Sequence, residues 1–253
     1  MSVQPRSVIC VLGRWDSFAP VQSIVDNVSP GFTLDLDYSQ LEPDERMKDA
    51  FKASLDRSHP TIYGGEWRTM DSHTSVAYVL SPPMKKSESE SISATALLLI
   101  AELLKKGGVA AKSESAGLAH GRDHWLELAR RYRKASKDGD AHAASATLYR
   151  AWVQRVVHGE DTNSFYSVGM HLLGHRDAEV DDDLEIPEAV KWIDLMGLYL
   201  VADKPKRVLR NGEGFRFSAN EPRRIIELVD CNRYAEDDFF FNPYGYIRLV
   251  KDD

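Results

Sequence analysis

Apolar residues recur along this chain at two spacings, and each spacing predicts an element. Ile92, Ala96, Leu99, Ile100, Leu103 and Leu104 sit at helical intervals, and Leu97 and Leu98 widen the stripe, so this helix is expected to be mostly buried. Ser87 and Glu90 have capping-box spacing ahead of it. Lys105 and Lys106 suit the negative end of its dipole, and Gly107 can take the left-handed stop. A strand over 109–112 follows at once. The helical period also predicts helices over 18–28 (Val21, Ile24, Val25, Val28) and 44–55 (Met47, Phe51, Leu55). Strands are predicted over 7–12, 32–38, 61–70 and 75–80, with a turn at 71–73 and a break at Pro82-Pro83.

In the second half, Trp125, Leu128, Ala129 and Tyr132 mark one face of a helix from Asp123, and Arg130, Arg131, Arg133 and Lys134 the other. After a turn at 137–140, a helix is predicted over 141–157 through Leu148, Tyr149, Trp152 and Val156. Next come a strand over 164–173, an acidic loop over 177–185, and a helix over 187–202 with Pro187 in its first turn. The last fifty residues read as β: Val208-Leu209, a tight turn at Asn211-Gly212, then 214–218, 224–229 and 239–250 with a kink at 242–245.

This order predicts an α+β fold: mixed sheet layers with packed helices, two βα-type halves at 1–121 and 161–253, a helical insert at 122–160, and a β-rich C-terminus. One integrated domain is the expectation. The composition, 43% hydrophobic and 28% charged, supplies the core such a domain needs. A net charge of -7 argues against a nucleic-acid-binding face and suits a basic protein partner. Membrane association is not expected, because no apolar run reaches the roughly 18 residues a span requires. The opening segment 1–6 lacks the apolar region of a secretory signal, so a cytoplasmic location is expected. Cys10 and Cys231 lie in apolar runs and read as buried free thiols.

Chemistry-bearing residues are few. His171 and His175 are four apart, followed by Asp177, Glu179 and Asp181 to Asp183. On a helix that spacing would let both imidazoles share a metal ion. On the predicted strand they would stand about 13 Å apart, unless the chain bends at Gly174. His120 and His124 flank Gly121 in a predicted loop, where Arg122 could take an anion at a helix N-terminus and Asp123 could cap that helix. No glycine-rich phosphate loop or nucleophile elbow is present, and no cofactor is expected. The acidic runs at 181–183 and 237–238 read as solvated charge or as an acidic face for a cationic partner. Five aromatics between Phe239 and Tyr246 read as a core strand or an interface hot spot.

Three segments together resemble a bacterial family, the domain of unknown function DUF4261: the buried helix with Gly107-Gly108 and its strand, the helix start at Trp125, and Tyr166-Ser-Val-Gly-Met-His-Leu-Leu-Gly-His-Arg-Asp-Ala-Glu-Val180. The helix over 187–202 and Gly212 fit the same arrangement. The resemblance implies an α+β fold and a bacterial cytosolic setting, and it carries over no catalytic residue. Small acidic bacterial proteins of this kind are also similar to immunity proteins paired with secreted toxins. The resulting expectation is a non-catalytic immunity protein that masks a toxin's active site, using Asp181, Asp182, Asp183, Asp237, Asp238 and Tyr244. The alternative is a metal-dependent hydrolase using His171, His175 and adjacent carboxylates, or His120 and Arg122.

Overall fold

A computed structural model describes residues 3–28, 30–56, 59, 61–158, 164–181, 184–220 and 222–252; for 28 and 156–158 it describes the backbone only. The fold is α+β, built on two sheets. The first sheet contains β1 (Val8–Gly13), β2 (Thr33–Gln40), β3 (Ser75–Leu80), β4 (Gly108–Ser113) and β5 (Leu118–Gly121). Its spatial order is β2-β3-β1-β4-β5, antiparallel throughout. Helices cover both faces of β1, so the strand is a continuous apolar run. Ile9 and Val11 pack toward α1 (Ala19–Val28) and α4 (Ser89–Lys105). Cys10 and Leu12 pack toward α2 (Met47–Ala53) and α3 (Gly64–Asp71).

The second sheet contains β6 (Gln154–His158), β7 (Ser164–Val168), β8 (Asp177–Asp181), β9 (Gly214–Phe215), β10 (Arg224–Val229) and β11 (Tyr246–Lys251), in the order β6-β7-β8-β11-β10-β9. Its pairings are antiparallel except for β8 with β11, which is parallel. Helix α7 (Ile186–Leu198) covers one face. Between the sheets, α5 (Arg122–Asp138) and α6 (Ala141–Trp152) pack against α4. Trp125 donates to the Leu97 carbonyl at 3.0 Å and Trp152 to that of Ser93 at 3.2 Å, so both indoles are buried without an orphaned N–H. The main apolar cluster runs from Ile9 through α4, α5 and α6 to Leu172 and Val201, so segments 1–121, 122–160 and 161–253 share one core.

The helical stop at Gly107 is present, with φ +110°, and the Trp15 indole donates to the Lys106 carbonyl beside it. The capping box is not: Ser87 lies outside α4, and Glu90 is engaged elsewhere by Ser145 and Lys204. Segment 61–70 is not a strand but contains α3, because Glu66 accepts the Tyr63 N–H at 2.8 Å and starts the helix. The predicted loop around His120 contains β5, held by Thr61 and Ser54 as well as by β4. The helix expected over 141–157 stops at Trp152, and the β-branched tail becomes β6. The acidic loop over 177–185 begins as strand β8, satisfied by β11 from seventy residues away in sequence. Residues 208–209 form no strand, and 239–245 form turns before β11. The last helix continues beyond α7 as a widened π turn, Tyr199–Asp203. Among the described residues no helix is long and apolar enough to cross a membrane.

Candidate functional site

The strand predicted over 164–173 bends after β7. Gly169 has φ +115°, and a Cβ there would sit 2.1 Å from the Trp152 carbonyl, so only glycine makes this approach. A 3-10 turn over Met170–Leu173 follows, then Gly174 at φ +80°. Asp177 lies buried behind the turn. It accepts from Ser167 Oγ (2.8 Å), the Met170 N–H (3.2 Å) and Asn242 Nδ2 (2.6 Å). Burial pushes its pKa up to about 7, against the pull of those donors. Asn242 is fully buried, also donates to the His175 carbonyl at 3.1 Å, and accepts the Tyr244 N–H at 2.9 Å. These bonds pin the C-terminal segment 236–245 against the turn. A cavity opens on each side.

The first is a cleft of about 680 Å³ between the first sheet and residues 236–241. Strand β2 supplies one lip. Its register with β3 runs to Asp35 opposite Tyr78 and resumes only at Gln40 opposite Val76. The residues between bulge outward, because Asp35 accepts from the Asp37 N–H and Ser39 takes the Tyr78 N–H. The bulge leaves Leu36 and Tyr38 61% and 73% exposed, with Tyr38 edge-on to Tyr78 at 6.3 Å. It also breaks the flat sheet edge that another strand would need to add. The opposite lip turns on Asp238, whose carboxylate accepts the Phe240 N–H at 2.8 Å and leaves Phe239 55% exposed. The lining carries five carboxylates, Asp35, Glu114, Glu236, Asp237 and Asp238, against two cations, Arg6 and Lys112. Lys112 is already paired with Glu114 at 2.9 Å. The cleft therefore presents unspent negative charge beside exposed rings.

His171 lines this cleft and is 2% exposed; its Nδ1 has no hydrogen-bond partner. Burial lowers its pKa to about 4. His175 lines the other cavity, its pKa also lowered to about 4, by burial and then by Lys86. The chain does bend near Gly174, yet the bend sends the two imidazoles into different cavities. Among the described residues no three His, Cys, Asp or Glu side chains converge as a metal site. Asp177 and Glu179, which follow the histidines in sequence, are buried in β8, and Glu179 pairs with Arg233 (2.7 Å) and Arg248 (3.0 Å).

The remaining candidates are spread over the molecule. Asp181 pairs with Arg224 at 3.2 Å, and Asp182 and Asp183 lie outside the described residues. Asp237 and Asp238 border the acidic cleft, whereas Tyr244 lines the second cavity. His120 is buried and stacked on His124 at 5.2 Å, with Nε2 against the Ala151 carbonyl; burial lowers its pKa to about 3. Asp123 does not cap α5: Glu66 does, accepting the Asp123 N–H at 3.1 Å and filling the place an anion would take. Arg122 instead donates to the Leu104 carbonyl at the end of α4. Both cysteines are free; Cys10 is buried, its pKa pushed up to about 12 by burial, and Cys231 is half-buried.

Sequence reasoning missed Asp35, Tyr38 and Glu236. The alternation of β2 gave a signal for its wet side, but not for the bulge that turns it toward residues 236–241. No protein-family model, curated protein or solved structure matches the chain.

Proposed function

We propose that this is a non-catalytic binding protein of the immunity type, whose acidic cleft clamps a basic segment of a partner and so masks the partner's active surface. One observation carries the reading: five carboxylates to two cations, one of them already paired, in a cleft whose lips are exposed aromatic side chains. Such a charge distribution steers a cationic partner and raises its association rate. Tyr38 and Phe239 supply the aromatic anchors on which interface energy concentrates. The resemblance to the DUF4261 family and to small acidic immunity proteins agrees with this reading.

The test is co-expression in bacteria with the product of each neighbouring gene, the expectation being that one of them is a toxin. The wild-type chain restores growth and co-purifies with the toxin. The double variant Asp237→Lys/Asp238→Lys loses both. Protection undiminished in that variant removes the cleft from the interface, and no complex with the neighbouring product ends the immunity reading.

A further inference from the structure

The second cavity, about 740 Å³, lies on the other side of the same turn, between residues 174–176, the segment after the π turn, and Pro243-Tyr244. In a chain of net charge -7 its lining is cationic: Lys86, Arg176, Lys204 and Arg207 against Glu90 and Asp230. Two of these cations are spent. Arg207 pairs with Glu213 at 2.8 Å. Lys204 reaches both oxygens of Glu90, at 2.8 and 3.0 Å.

Lys86 lies in the turn ahead of α4, and Glu90, four residues on, lies in the first turn of that helix. Lys204 takes Glu90, from a left-handed backbone at φ +48°, the only such non-glycine residue among those described. Lys86 is left with no carboxylate within 4.0 Å among the described residues; its Nζ lies 5.3 Å over the Tyr244 ring. Arg176 likewise has no carboxylate partner among them. Its Nη1 donates to the carbonyls of Val229 (2.9 Å) and Tyr246 (3.4 Å), which hold the guanidinium in place without neutralising it. Glycines let the chain pass close to the Arg176 guanidinium and to the backbone at Lys86. A Cβ on Gly245 would lie 2.7 Å from Arg176 Nη1, and one on Gly174 would lie 2.8 Å from the Lys86 carbonyl. Arg176 is half-buried and positioned by carbonyls alone, and such a cation lowers its energy by accepting an anion; Lys86 is exposed at the rim beside it.

We propose that this cavity binds an organic phosphate, its dianionic head between Lys86 and Arg176 and its apolar or aromatic body against Tyr244, Leu200 and Leu209. Two unspent cations outnumber the one lining carboxylate unpaired among the described residues, Asp230, and the arginine fork suits phosphate oxygens. The size falls within the roughly 300–1,000 Å³ typical of small-ligand sites. This site is separate from the acidic cleft and does not depend on the immunity reading.

The probe is phenyl phosphate, titrated calorimetrically into the full chain beside inorganic phosphate and phenol. Phenyl phosphate binds at least about 10-fold more tightly than either part alone. Lys86→Gln, an exposed change, weakens it about 10-fold, and Arg176→Lys, which keeps the charge but loses the fork, weakens it by a similar factor. Asp237→Asn, across the turn, leaves it unchanged. Absence of phenyl phosphate binding, equal affinity for phenyl phosphate and inorganic phosphate, or undiminished affinity in Lys86→Gln and Arg176→Lys each overturns the assignment.

Discussion

Both cavities are built against the turn at 169–177, and both use the C-terminal segment 236–245 as a wall. In the first, carboxylates outnumber cations and Lys112 is paired, so negative charge is left over. In the second, Glu90 and Glu213 are taken by Lys204 and Arg207, so positive charge is left over. The difference arises from which charges tertiary pairing leaves unspent, because a paired surface charge attracts little. Net charge reports neither cavity, and of the linear charge runs the one at 237–238 lines the first. The run at 181–183 begins with Asp181 paired to Arg224, while Asp35 and Glu236, far apart in sequence, share a cleft.

The largest effect is expected where the cavities share a wall. Gly169→Ala places a methyl against the Trp152 carbonyl at a backbone angle alanine avoids. It should cost about 3 kcal/mol or more in urea unfolding and abolish binding at both sites. Native-like stability would show that the turn is not the common support. Asn242→Ala comes next. It strips Asp177 and the His175 carbonyl of a donor, at a cost of about 1–3 kcal/mol, and releases residues 236–245. Binding in both cavities should then fall together; loss at one site alone would uncouple them.

A third experiment reads pH. Burial raises Asp177 from 3.8 to about 7, so between those values the folded state holds a proton the unfolded chain has released, and stability falls as pH rises. His171 and His175 act in the opposite sense. Lowered from 6.5 to about 4, they make stability fall as pH drops through that window. Asp177→Asn should therefore steepen the rise of unfolding free energy from pH 4 to 6.5 and remove the decline toward 7. An unchanged profile would show that Asp177 titrates normally. The smallest effect on stability, within about 0.5 kcal/mol, is expected for Tyr38→Ala on the exposed lip. It should nevertheless weaken the basic partner and leave phenyl phosphate binding intact. Equal weakening of both would erase the distinction between the cavities.

Elements with strong local patterns were legible. The stripe from Ile92 to Leu104 became α4, the Trp125 face became α5, and the run at 7–12 became β1. Errors fell where a distant partner overruled local preference. Segment 61–70 carries β-favouring residues, but Glu66 satisfies the first turn of a helix. Residues 177–181 look like a solvated acidic loop, yet their parallel pairing with β11 turns Asp177 and Glu179 inward, onto Asn242 and onto Arg233 with Arg248. Of the four expected contact residues among those described, Asp237 and Asp238 border the acidic cleft and Asp181 and Tyr244 do not, because position in a charge run says nothing about which ions lie opposite.

By itself the sequence determined the α+β class and the central buried helix, because hydrophobic periodicity is a local property that burial rewards directly. Only the tertiary structure decided where charge remains available. That depends on pairs such as Lys204 with Glu90 and Arg224 with Asp181, whose members are distant along the chain and meet only after the sheets have closed. Electrostatic function resides in the residue of that pairing, and folding performs the subtraction.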